Sequence, residues 1–281
     1  MWAFLAVCSS FLLGLYDAAK KQALRKNGVL AVLLVATALS TLFVSPFLRI
    51  GPAQDHLRLA LKAVLVTSSW VSGMVGLKLL PLTTVSMLKG SRPMFVVLFS
   101  VLLYGEVLSW TQWAGVLVVL AALFLLGRTS RGDASVQVRK VGFIWMGVSI
   151  LTGVASALYD KRIMSGMEPL FVQSWTNLYI TILLGLCVAW RSLASNPSGI
   201  QFRWDWTIVL VAVLITGADA LYFFALKQPD ALLSVISVIR RAAIIITFLC
   251  GIIFFKEKQI KAKSLNLLLM AAGVALLLIG S

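Results

Sequence analysis

Ten apolar runs take up most of this chain, and each is close to the length of a membrane span. A spanning helix needs about 20 mostly apolar residues, because the hydrocarbon core of a bilayer is about 30 Å thick. The composition agrees: 60% of the 281 residues are hydrophobic and 12% are charged, against roughly 45–50% and about 25% in soluble domains. We therefore predict an all-α integral membrane protein with ten transmembrane helices, at residues 2–19, 28–48, 58–79, 82–104, 108–127, 141–163, 169–190, 206–226, 231–255 and 262–280.

The cysteines and the beginning of the chain give no sign of another class of protein. Cys8, Cys187 and Cys250 lie in three different apolar runs without CxxC spacing, so we expect neither a disulfide framework nor a metal site. The first run begins at Trp2 without a basic leader, which favours a retained helix over a signal peptide. We expect no cofactor.

The basic residues are unevenly distributed over the connections. The formal net charge is +15, but these residues are scattered over helix ends and form no stripe typical of nucleic-acid binding. Apart from four cations deep within the spans, 15 Lys and Arg lie in or beside connections after odd-numbered spans and 6 after even-numbered ones. The positive-inside rule then predicts that both termini are outside. We expect a multi-pass protein of the cell membrane, specifically a bacterial inner membrane.

Several sequence features occur twice. The unit predicted from them has five helices, which gives a first repeat at 1–132 and a second at 133–281. Because five is odd, the second unit enters the membrane from the opposite side, so the repeats are inverted, an arrangement that supports alternating access. The recurring features are Leu15-Tyr16-Asp17 and Leu158-Tyr159-Asp160, 143 residues apart, Ser86 to Lys89 and Ser237 to Arg240, 151 apart, and Gly127 and Gly280, 153 apart.

Four cations lie deep inside the predicted spans, well away from either span end, namely Lys89, Arg92, Arg240 and Arg241. An unpaired cation at the centre of a span costs roughly 2.5–3.5 kcal/mol on insertion scales. Ser86 and Ser237 each precede a cation by three residues and so share its helix face. Because hydroxyl and guanidinium groups together can surround phosphate or carboxylate oxygens, the pattern favours an anion site. Arg92 can equally point away from Lys89 or reach the interface.

The acids allow a structural alternative, in which the cations only form internal ion pairs. Asp219 lies well within the eighth span, either as the partner of an arginine or as a carboxylate that couples transport to protons. Asp17 and Asp160 are further candidates, although Lys20, Lys21, Lys161 and Arg162 are close to them in sequence. Glu106 and Glu257 end the fourth and ninth spans and are expected to bind the amides that start the fifth and tenth helices, or a nearby lysine such as Lys256 or Lys258.

Aromatic residues within the spans are weaker candidates. Trp70, Trp175, Tyr179 and Tyr222 could line a cavity, but such side chains more often pack or form an interfacial belt.

Ten helices, a five-helix duplication and Gly-Glu or Lys-Glu at the ends of the fourth and ninth helices resemble the drug/metabolite transporter superfamily, EamA type. Two segments further resemble plastid triose-phosphate translocators. One is the run from Val85 to Phe95 with Lys89 four residues before Pro93, continued to Glu106. The other is Ser237-Val238-Ile239-Arg240-Arg241 followed by branched residues.

That resemblance implies that Lys89, Arg240 and Arg241 bind the phosphate of the substrate. Two positions depart from the translocator pattern, since Arg240 stands where that family has Lys and Arg92 where it usually has an acid. A more cationic pocket is implied. The superfamily usually keeps both termini in the cytoplasm, opposite to the orientation that the charge bias predicts.

The sequence therefore predicts a secondary transporter of a small organic anion, preferably a phosphorylated metabolite, rather than an enzyme. A flippase for a lipid-linked phosphate is the alternative. An intramembrane enzyme is remote, because His56 is the only histidine and lies in a connection. The expected partners are the anionic substrate and the bilayer, and both a monomer and a homodimer are compatible with the sequence.

Overall fold

A computed structural model describes residues 1–79, 88, 92–129, 140–193, 201–243, 245–246, 249–250 and 260–280. Within these ranges the regular structure is helical, with a single 3-10 turn at Ser45–Phe47 and no strand. The expected all-helical fold is confirmed for this part of the chain. The helices are α1 (Trp2–Ala23), α2 (Val29–Val44), α3 (Ala53–Leu79), α4 (Arg92–Tyr104), α5 (Trp110–Thr129), α6 (Lys140–Met164), α7 (Pro169–Leu193), α8 (Trp206–Lys227), α9 (Leu233–Arg241) and α10 (Ile260–Ile279).

Five of the described helices are long and apolar enough to cross a membrane: α1, α2 with its 3-10 extension, α6, α7 and α8. Shorter apolar helices occur at Arg92–Tyr104 and Trp110–Ala122. α3 begins at Ala53, five residues before the predicted span, so its first turns include Asp55 and Arg58. Parts of the fourth and ninth predicted spans lie outside the described residues.

The helices pack in a defined set of pairs. The most extensive contacts join α3 to α6, α1 to α8 and α5 to α10, and further contacts join α2 to α7 and α4 to α9. α5 and α10 approach closely at Gly115 and Gly273, where an added Cβ on Gly115 would lie 2.8 Å from the Gly273 carbonyl oxygen. Small residues at such crossings let the backbones of membrane helices come together.

The core lies around α9, and the outer surface is apolar. Val235, Ile236, Val238 and Ile239 of α9 are fully buried. In contrast, large apolar side chains on the outside of the bundle are well exposed, among them Leu102 at 68%, Leu117 at 62% and Leu268 at 69%. A soluble protein rarely exposes so much contiguous apolar surface, so this surface is suited to lipid.

Candidate functional site

A buried ion pair lies between α3 and α6. The ammonium group of Lys62 donates directly to Oδ1 of Asp160, and both side chains are at most 8% exposed. The ammonium group also lies 4.8 Å from the ring centroid of Phe223 on α8. Two charges removed from water this far must stay paired, because an isolated buried charge costs several kcal/mol.

Tyr222 of α8 connects this pair to α9. Its hydroxyl donates to Oδ2 of Asp160 at 3.2 Å. The guanidinium carbon of Arg240 lies 4.1 Å from the centroid of the same ring, within the range of a cation–π interaction. One face of Tyr222 therefore positions Arg240, while its hydroxyl is held by Asp160.

Arg240 also forms an ion pair with Asp219, which extends the series of contacts that begins at Lys62. Its Nη2 donates to Asp219 Oδ1 at 2.9 Å, and the two side chains are 18% and 31% exposed. We call Lys62, Asp160, Tyr222, Arg240 and Asp219 the central cluster. It brings together residues from α3, α6, α8 and α9, of which the sequence analysis had singled out all except Lys62.

Arg92 of α4 lies beside the central cluster and is held by backbone. Its Nη2 donates to the carbonyl oxygen of Gly153 on α6. A Cβ at position 153 would lie 2.7 Å from Cζ of Arg92, so glycine is required for this approach. Arg92 also interacts electrostatically with Arg240, Tyr222 and Asp160. It therefore points inward rather than reaching for the interface.

Arg241 follows Arg240 at the end of α9 and is half-buried. It interacts electrostatically with Arg92 and Arg240, which are cations, and with Asp17 of α1. No side-chain hydrogen bond or ion pair within contact distance joins Arg241 to another described residue. Asp17 itself is exposed.

Positive charge exceeds negative charge in this region. Of the four cations Lys62, Arg92, Arg240 and Arg241, the first and third are matched by Asp160 and Asp219. Arg92 has a carbonyl partner and Arg241 only a longer interaction with Asp17. In addition, Nε of Arg240 is buried without a hydrogen-bond partner. The described part of the site therefore has more positive than negative charge and a hydrogen-bond donor without a partner, so it is suited to binding an anion.

Three further residues are predicted to bind the anion, and the structure describes one of them. Ser86 and Lys89 lie outside the described residues. Ser237 is half-buried on α9, one turn before Arg240.

Glu106 forms a second polar network at one end of the bundle. Its carboxylate accepts hydrogen bonds from the amides of Leu233 at 2.7 Å and Ser234 at 3.0 Å, from the Ser234 hydroxyl and from the ammonium group of Lys161. A carboxylate suits these amides because the first N–H groups of a helix lack partners within it. The expectation that Glu106 caps the fifth helix is wrong; the helix it caps is α9, next to which the fold places the end of α4. Glu257 lies outside the described residues.

Three of the four aromatic candidates lie away from the central cluster. Trp175 Nε1 donates to the Arg49 carbonyl oxygen at 2.9 Å, and its ring packs edge-on against His56. The hydroxyl of Tyr179 lies 3.1 Å from Nδ1 of the same histidine. Trp70 lines a small cavity of about 20 Å³ with Tyr16 and Lys20. Of these four aromatic residues, only Tyr222 belongs to the central cluster.

Lys62 is the residue that sequence reasoning missed. It lies near the start of the third predicted span, 58–79, among apolar residues in Leu59-Ala60-Leu61-Lys62-Ala63-Val64, but it is not among the four cations that the sequence analysis places deep inside the spans. That apolar context was a signal for burial. Its partner Asp160 is 98 residues away, which no local pattern indicates.

In the described ranges, no group of His, Cys, Asp and Glu residues could hold a metal ion.

Comparisons with known proteins agree with a membrane transporter. Residues 1–128 match the model of the EamA-like transporter family. A crystal structure of another protein superposes with a TM-score of 0.76 over 99% of this chain and 96% of that one, at 18% sequence identity. A search of curated proteins gave no match. The family match covers the first 128 residues, and the structural likeness establishes the fold over nearly the full length.

Proposed function

We propose that this chain is a secondary transporter of EamA type that moves a small organic anion, preferably a phosphorylated metabolite, across the cell membrane, which we take to be a bacterial inner membrane. The observation that carries the proposal is the excess of buried positive charge around Arg92, Arg240 and Arg241. Lys89, Ser86 and Ser237 are proposed to complete the anion shell. This set agrees with the helix-4 and helix-9 resemblance to triose-phosphate translocators.

The helix contacts support a duplicated architecture. If the two repeats are equivalent, each helix of the first corresponds to the helix five numbers later, so α1 corresponds to α6 and α3 to α8. The α1–α8 contact then corresponds to α6–α3, the α2–α8 contact to α7–α3 and the α1–α9 contact to α6–α4. The α2–α7, α4–α9 and α5–α10 contacts map onto themselves. A two-fold axis between repeats 1–132 and 133–281 would produce these correspondences, although the smaller α7–α8 and α6–α8 contacts have no counterpart of similar extent. Since each repeat has five helices, they would be inverted, an arrangement that supports alternating access.

The contacts suggest how binding of an anion would act on the central cluster. Arg240 has one carboxylate partner, Asp219, and a spare Nε donor. A phosphate could take up these donors in bidentate fashion, which is stronger and more directional than a single contact. It would then compete with Asp219 for Arg240, while the ring of Tyr222 keeps the guanidinium in place.

The Glu106 network is the proposed closure on one face. Glu106 ties the end of α4 to the start of α9 and to Lys161 of α6, and Lys161 also donates to the Ala231 carbonyl oxygen at 3.1 Å. These elements belong to both repeats. Opening the site to this face would require the repeats to separate here, so the network has to break during each cycle.

The proposal is tested by ligand-dependent thermal unfolding of the purified protein. A ligand that binds only the folded state stabilises it by about 2.7 kcal/mol at 100 times its dissociation constant. We expect phosphates and phosphorylated metabolites to raise the unfolding temperature, and amines and neutral sugars to leave it unchanged. Largest shifts with hydrophobic cations would contradict the anion site. Stabilisation by prenyl phosphates but not by soluble phosphates would favour the lipid-linked alternative.

Asp219→Asn separates the two roles considered for that residue. As the partner of Arg240, Asp219 neutralises a charge in the apo protein, so the variant should unfold at lower temperature while anion binding persists or tightens. Exchange of labelled substrate in liposomes should continue. A proton-coupling role would also leave exchange intact, but it would remove accumulation driven by a pH gradient. Unchanged stability together with unchanged gradient-driven uptake would exclude both roles.

A further inference from the structure

A large groove lies on the outside of the bundle between α3 and α7. Its volume is about 580 Å³, within the roughly 300–1,000 Å³ range of small-molecule pockets. Its lining is mainly apolar, and Val64 and Trp190 at its walls are 46% and 77% exposed. The groove therefore faces what surrounds the bundle. None of its lining residues belongs to the central cluster.

The groove is about as long, measured along the helices, as one leaflet of a bilayer is thick. On α3 it extends from Val64 to Val75, which is about 16 Å at 1.5 Å per residue. The hydrocarbon core of a bilayer is about 30 Å thick, so a single leaflet contributes about half of that. One end of the groove is defined by Val75 near the end of α3, Leu30 near the start of α2 and Arg191 near the end of α7.

Arg191 gives that end of the groove a positive charge. It is the only charged residue among the described residues that line the groove, and it lies in the last turn of α7. No hydrogen bond or ion pair joins it to another described residue. It belongs to the basic face formed by connections after odd-numbered helices, which carry 15 of the Lys and Arg residues. Basic groups at such a position attract the anionic lipids of the cytoplasmic leaflet.

We propose that this groove binds an anionic phospholipid, with one acyl chain along the groove and the phosphate at Arg191. The chain would cover apolar wall from Val64 to Val75, and each buried methylene contributes to binding. Trp190 lies beside Arg191, where an aromatic ring suits the boundary between acyl chains and headgroups. The site is independent of the proposed anion transport, because it uses none of the same side chains.

The test compares phosphatidylglycerol with phosphatidylcholine of identical acyl chains. The full-length protein is freed of lipid in a neutral detergent, and bound lipids are counted by native mass spectrometry during titration. We expect the wild type to prefer phosphatidylglycerol. Arg191→Gln should weaken phosphatidylglycerol binding about fivefold, the effect of one basic residue at a membrane surface. It should weaken phosphatidylcholine binding less, because the choline cation offsets the charge of that lipid's phosphate.

Two further variants make the outcome decisive. Arg162→Gln removes an exposed arginine from the last turn of α6 and should leave lipid binding as it is. Val71→Trp places bulk in the groove and should weaken both lipids. Equal loss in Arg162→Gln and Arg191→Gln, or no preference for phosphatidylglycerol in the wild type, would overturn the proposal. Competition by glycerol phosphate without acyl chains would also overturn it, because a soluble anion would then be the ligand.

Discussion

Replacing Lys62 with methionine is expected to destabilise the protein by about 3–5 kcal/mol, the usual cost of removing one partner from a buried ion pair. Asp160 is 5% exposed, so water cannot replace the lost ammonium group. The Tyr222 hydroxyl at 3.2 Å would be its one remaining side-chain partner among the described residues. Thermal or denaturant unfolding in detergent, followed by circular dichroism, measures the change.

A second substitution at Asp160 should restore most of this loss. Adding Asp160→Asn to Lys62→Met removes the unpaired charge and keeps an oxygen that accepts from Tyr222. Replacing both members of a buried pair with neutral groups is often close to neutral in stability. Arg58→Met is the matched control, since Arg58 lies one turn earlier on α3 and its side chain is 57% exposed. If Lys62→Met and Arg58→Met unfold alike, the ion pair does not contribute as described.

Replacing Arg240 with glutamine is expected to weaken anion binding about 10- to 150-fold. This range corresponds to the roughly 1.5–3 kcal/mol of a hydrogen bond to a charged group. Arg240 contacts both Tyr222 and Asp219 and retains a buried Nε donor without a hydrogen-bond partner among the described residues. The variant loses the charge and the planar fork, so phosphate should no longer raise the unfolding temperature.

Three comparisons identify the cause of that loss. Arg240→Lys keeps the charge without the fork, and partial recovery would show that bidentate geometry contributes. Arg162→Gln changes an exposed arginine and should retain full binding. The unfolding temperature of apo Arg240→Gln shows whether the variant is folded. Binding at wild-type strength in folded Arg240→Gln would remove Arg240 from the site and would place the anion elsewhere.

Hydropathy was sufficient to predict the helices, because the bilayer imposes a length that can be counted in the sequence. The all-helical fold and several long apolar helices follow from that rule alone. Charges inside apolar runs were also informative, since their cost indicates that something must neutralise them. This reasoning singled out Arg92, Arg240 and Asp219, which the structure places beside Tyr222 in one region.

Partners distant in sequence were decided only by the tertiary structure. Lys62 meets Asp160 across 98 residues, and Glu106 meets Ser234 across 128. Local periodicity indicates which face of a helix a residue occupies but not which helix packs there. The same limit applies to Gly153, whose missing Cβ makes room for Arg92 of another helix. The sequence thus determined the helices and most of the charges inside them. Helix packing determined which of these charges pair with an opposite charge and which, among the described residues, do not.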